Sequence, residues 1–79
     1  MPERLTALEK VALSDMARGG DRGAVKEDGR SRYGRAQERM WSLIFADFIV
    51  ERRGRRIVRR AFRITCAGRR ALEDTTSGS

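Results

Sequence analysis

Residues 48–64 read Phe48-Ile49-Val50-Glu51-Arg52-Arg53-Gly54-Arg55-Arg56-Ile57-Val58-Arg59-Arg60-Ala61-Phe62-Arg63-Ile64. β-branched and aromatic residues stand on both sides of one glycine, and such residues suit a pleated, half-buried strand. The spacing predicts a hairpin with one strand over 48–53, a turn at Gly54 and a second strand over 57–64. On the second strand Val58, Arg60, Phe62 and Ile64 share one face, and Ile57, Arg59, Ala61 and Arg63 the other. Arg60 is the irregular position on the apolar face. It is either buried against an acid or the mark of a slipped register.

The hairpin also holds the charge. Residues 51–70 contain nine arginines (52, 53, 55, 56, 59, 60, 63, 69, 70) and one acid, Glu51, a net +8. The other 59 residues carry 9 basic and 10 acidic side chains, a net −1, so the formal +7 of the chain lies in this segment. Every basic residue there is arginine, whose planar fork suits phosphate and guanine edges. A solubility device would need neither that composition nor that confinement. The expected partner is a polyanion.

Outward from the hairpin the period changes to that of helices. Leu5, Leu8, Val11, Ala12 and Met16 recur at three and four, which predicts a helix over 3–18. Thr6-Ala7-Leu8-Glu9 offers it a capping box, and Gly19-Gly20 stops it. Residues 19–34 hold five of the eight glycines and read as a short strand near 23–26 with a turn at 27–29, or as a short helix over 21–28. A second helix is expected over 35–46. Ala36, Met40, Leu43, Ile44 and Asp47 form its inner stripe, widened by Trp41, Phe45 and Phe48. Arg35, Glu38, Arg39 and Ser42 form its outer face. Thr65 is a good N-cap for a last helix with Ala71 and Leu72 turned inward. Residues 1–74 are thus expected to form one domain, and the polar 75–79 a disordered tail.

Composition excludes several functions. At 79 residues the chain makes one small domain, burying only about 60% of its unfolded surface. With no histidine, the usual general base and the usual zinc ligand are both missing, and no metal or cofactor is expected. Cys66, the one cysteine, forms no internal disulfide and is expected as a small buried residue. Gly19, Gly20 and Gly23 make no phosphate loop, and Glu38 and Asp47 have no carboxylate mate, so no enzyme is expected. The longest apolar cluster, Met40–Ala46, is far short of a membrane span, which points to a cytoplasmic protein without membrane contact.

Leu43-Ile44-Phe45-Ala46-Asp47-Phe48-Ile49-Val50-Glu51-Arg52-Arg53 and Phe62-Arg63-Ile64-Thr65-Cys66-Ala67-Gly68-Arg69-Arg70-Ala71-Leu72-Glu73 together resemble the winged helix-turn-helix pattern of MarR-like and PadR-like bacterial regulators. There a recognition helix runs into a charged wing, and the second wing strand closes into a threonine–alanine–glycine–arginine motif. The resemblance covers about residues 36–74. It implies an α+β fold, a small winged helix, with residues 34–46 as recognition helix and Arg52 to Arg60 as wing. Two features depart from it: Phe48 stands where a glycine is usual, and residues 20–35 show no clean second helix.

The function so implied is duplex DNA binding by a bacterial or phage transcriptional regulator, with a homodimer as one possible form. The candidate contacts are Arg32, Tyr33, Arg35, Gln37, Arg39, Arg52, Arg53, Arg55, Arg56, Arg59, Arg60 and Arg63. Glu38 and Ser42 share the outer helix face with them. Tyr33 fits an exposed stacking role and a packing role equally, whereas Trp41, Phe45, Phe48 and Phe62 are expected in the core. A different class of function competes with the first. A mobile-element interaction protein of anti-CRISPR type would dock the same hairpin on an acidic protein or nucleoprotein complex. An RNA-binding module is the third reading.

Overall fold

Thr6 starts the first helix as its capping box requires. Its hydroxyl accepts from the Glu9 N–H at 3.1 Å, and Glu9 Oε1 accepts from the Thr6 N–H at 2.9 Å. The computed structural model describes the backbone of residues 4–77 and the side chains of residues 4–74. From this cap the chain runs through α1 (Ala7–Arg18), a 3-10 turn (Gly20–Arg22), β1 (Ala24–Val25), α2 (Arg32–Ser42), β2 (Ala46–Arg53), β3 (Arg56–Ile64) and α3 (Cys66–Ser77). The result is a small α+β fold of three helices and one antiparallel sheet ordered β1–β3–β2. The region 19–34 takes the strand-and-turn form, and the alternative helix over 21–28 is replaced by the 3-10 turn and β1. The backbone of α3 continues to Ser77, beyond Thr75 where a disordered tail was expected; residues 78–79 lie outside the described residues.

The expected hairpin forms, with Phe48 opposite Phe62, and its first strand begins two residues early, with Ala46 opposite Ile64. Gly54, at φ 59°, takes the first position of a two-residue loop, where only glycine is free of strain. Before the turn the register shifts between Glu51 and Arg52, which leaves Val58 of β3 without a cross-strand partner. Phe62 and Ile64 face the helices and join Leu5, Ala12, Leu13, Met16, Ala36, Met40 and Ala46 in the core. Leu13 takes the inner place expected of Val11, which is exposed. Arg60 shares the face of Phe62 yet is exposed, because at that point the hairpin has run past the helices. It is neither paired in the core nor out of register. The molecule is accordingly elongated, 45 × 25 × 19 Å.

α2 starts three residues before the expected Arg35 and ends four before Ala46. Ser31 is its N-cap, accepting from the Gly34 N–H at 2.9 Å. At the other end the Phe45 N–H donates to Met40 O at 2.8 Å and the Ile44 N–H to Trp41 O at 3.0 Å, the bond pair of a Schellman motif. The left-handed position such a motif needs falls on Ile44, at φ 65°, and not on Phe48. A β-branched residue is costly there, and Ile44 is 70% exposed, so its side chain gains little in return.

The threonine–glycine motif supplies the restraint. Thr65 donates its hydroxyl to Ile44 O (2.8 Å) and its N–H to Phe45 O (3.1 Å), and accepts from the Gly68 N–H (3.0 Å). A Cβ on Gly68 would stand only 2.1 Å from Phe45 O, so the motif lets α3 approach the α2–β2 turn. Ile44→Gly should therefore stabilise the domain by about 1 kcal/mol. A thermal melt shifted up by about 4–8 °C would show it, and an unchanged or lower midpoint would argue against strain at this position.

Candidate functional site

The arginines separate into those tied into the fold and those left outside it. Arg59 donates its guanidinium to Arg22 O at 2.6 Å and lies 3.5 Å from Gly23 O, fastening the hairpin to the 3-10 turn. Arg22 in turn meets Glu51 at 3.1 Å. Arg63 faces Asp47 across the strands at 3.8 Å. Arg39 lies 2.8 Å from the buried Glu9 carboxylate, so it anchors α2 to α1. Removing Arg39 would strand a buried acid, which costs more than an exposed ion pair ever contributes.

Arg52, Arg53, Arg55, Arg56 and Arg60 are different. All five are exposed on the overhanging arm, and among the described residues none of their side chains makes an ion pair or hydrogen bond. Arg32 and Arg35 are exposed in the same way on the first turn of α2. Each of these seven cations stays exposed to water, in two groups of like sign. That arrangement repels itself and gains only from an outside anion.

Two candidate contacts turn inward. Gln37 is completely buried, its Oε1 accepting from the Glu27 N–H at 2.8 Å and its Nε2 donating to Val25 O at 3.1 Å. It holds the β1–α2 loop in place and cannot reach a groove. Tyr33 packs against the core and donates its hydroxyl to Asp15 Oδ2 at 2.5 Å, while Asp15 Oδ1 accepts from Arg18 at 2.9 Å. Of its two readings the packing one holds. Partial burial, then the neighbouring Asp15, pushes the phenol well above its ordinary range.

A group with a raised folded pKa contributes stability that is complete below its unfolded pKa, about 10, and is lost as pH climbs toward the folded value. Tyr33→Phe should lower stability by about 1 kcal/mol at pH 7 and flatten the alkaline decline. Urea midpoints at pH 7 and in the alkaline limb check it. An unaltered alkaline limb in the variant would be the contrary result.

The aromatic side chains also divide. Phe62 is buried and Phe45 partly so, as expected, but Trp41 is 51% exposed and Phe48 more than a third. Cys66, expected buried, is exposed at the start of α3. Glu38 is half-buried and Ser42 exposed on the outer face of α2. A groove of about 740 Å³ lies between the β1–α2 loop and the hairpin. Its lining mixes Glu27 and Asp28 with Lys26, Arg59 and Arg60, so it favours neither sign of ligand.

Among the described residues no three acidic or cysteine side chains come together as metal ligands, and no helix is long and apolar enough to cross a membrane. Comparison with family models, with curated proteins and with solved structures finds no match for this chain.

Proposed function

We propose that the protein binds duplex DNA, with the outer face of α2 against the major groove and the β2–β3 arm reaching adjacent phosphates or the minor groove. The observation that carries this reading is the arm, with five exposed arginines that have no partner among the described residues. An α-helix fits the major groove, and a basic hairpin beside it meets phosphate rather than base edges. The element order, with one helix leading into a hairpin wing and sheet order β1–β3–β2, supports the winged-helix resemblance. No helix stands between β1 and α2, so α2 would enter the groove without the usual preceding helix of a helix-turn-helix.

Arg35, with Arg32 beside it, carries any base preference, and the arm carries the sequence-independent affinity. A role in bacterial or phage transcription follows from the same resemblance. The test is a salt titration of binding to a blunt duplex. Five phosphate contacts predict a log–log slope of about −4 to −5. A folded protein that fails to bind duplex at low salt would overturn the reading and leave an acidic protein surface as the arm's partner.

A further inference from the structure

Trp41 packs against two other rings and is still about half exposed. Its ring centroid stands 6.0 Å from those of Phe48 and Phe62, tilted by 47° and 41°, and these two rings are themselves 5.6 Å apart. Phe62 is fully buried, so the cluster is rooted in the core while half of the indole faces solvent. Along the same sheet face follow exposed Val50 and, directly opposite it, exposed Arg60. Arg60 is two residues from Phe62, about 7 Å along the strand. Nothing in burial explains why the largest apolar side chain of the chain sits at the rim. A packed indole also loses little further rotamer freedom when a flat ligand covers it.

The ligand chemistry that wants a fixed aromatic face with an unpaired arginine one step away is a nucleotide whose base is unstacked. A continuous duplex hides its base faces, whereas an overhang, a bulge or a single strand presents them. We propose that Trp41 is a stacking site for an unpaired base, with Arg60 holding the neighbouring phosphate. This rests on the nucleic-acid reading above and narrows it to ligands that have a single-stranded element next to the duplex.

Trp41 is the only tryptophan, so its emission reports the site directly. The protein is titrated with a labelled blunt duplex, the same duplex bearing a short overhang, the single strand alone, and an acidic peptide. Label anisotropy gives occupancy and indole emission gives stacking. The overhang and the single strand should quench the emission, and the blunt duplex at equal occupancy should not. Trp41→Ala, checked as folded by thermal melt, should weaken overhang binding about 5- to 150-fold and leave blunt-duplex affinity unchanged.

Saturation by the overhang without quenching, or with the same quenching as the blunt duplex, overturns the stacking site alone. Quenching by overhang or single strand with no blunt-duplex binding keeps the site and overturns the duplex reading. Quenching by the acidic peptide and by no oligonucleotide overturns both.

Discussion

Replacing Arg52, Arg53, Arg55, Arg56 and Arg60 together by glutamine should leave the fold intact and reduce duplex affinity by about 3 × 10⁴-fold near 0.1 M salt. Counterion release gives each neutralised phosphate a factor of about eight at that salt, and five such contacts multiply. The salt slope should fall from about −4 to −5 to near zero, because what remains on α2 is Arg32, Arg35 and a fold-anchored Arg39. Stability should hold, since among the described residues none of the five side chains has a partner to lose, and relieving their mutual repulsion works in favour of the fold. The contrasting set is Arg22, Arg59 and Arg63, which hold Glu51, the Arg22–Gly23 carbonyls and Asp47. Changing those three to glutamine should lower the melting point while costing much less affinity per charge. Anisotropy titrations and thermal melts on both variants check the division. Equal affinity losses from the two sets would show that the arm acts only through total charge.

Phe62→Ala should cost about 3–5 kcal/mol and leave little folded protein at 37 °C. Phe62 is the largest fully buried side chain, sits opposite Phe48 at the centre of the sheet, and backs both Phe48 and Trp41. A domain of this size holds a total margin near the low end of about 5–15 kcal/mol, so one such cavity consumes most of it. Urea unfolding followed by far-UV circular dichroism measures the loss, and a change under about 1.5 kcal/mol would mean that the core repacks around the gap.

How much of this was legible in the sequence depended on the range of the interactions involved. The hairpin could be read within two residues at every strand end because alternation and a turn glycine are local. The start of α1 was misplaced by four residues, yet its capping box was readable for the same reason. α2 was not. Its true start depends on Ser31, passed over within a glycine-rich run, and its end depends on Ile44 adopting a conformation that isoleucine disfavours. Leu43-Ile44-Phe45 continues an apolar stripe in the sequence, while Thr65, 21 residues from Ile44, holds the turn that breaks it. Gln37 reads as a surface group and Tyr33 reads either way, because their partners, Asp15, Val25 and Glu27, are 10 to 18 residues away.

By itself the sequence determined the hairpin, its net charge and its all-arginine composition, since composition and period-two alternation need no neighbours. Only the tertiary structure decided which of those arginines are spent inside the molecule. Arg59 finds its carbonyl 37 residues back and Arg22 finds Glu51 29 residues on, contacts that no local pattern announces. It likewise decided that Trp41 stands at the rim: the early end of α2 turns the following residues into strand, and packing on Phe48 and Phe62 leaves about half of Trp41 exposed. A charge or an aromatic ring is a property of the residue. Whether either is available to a ligand depends on what the rest of the chain brings against it.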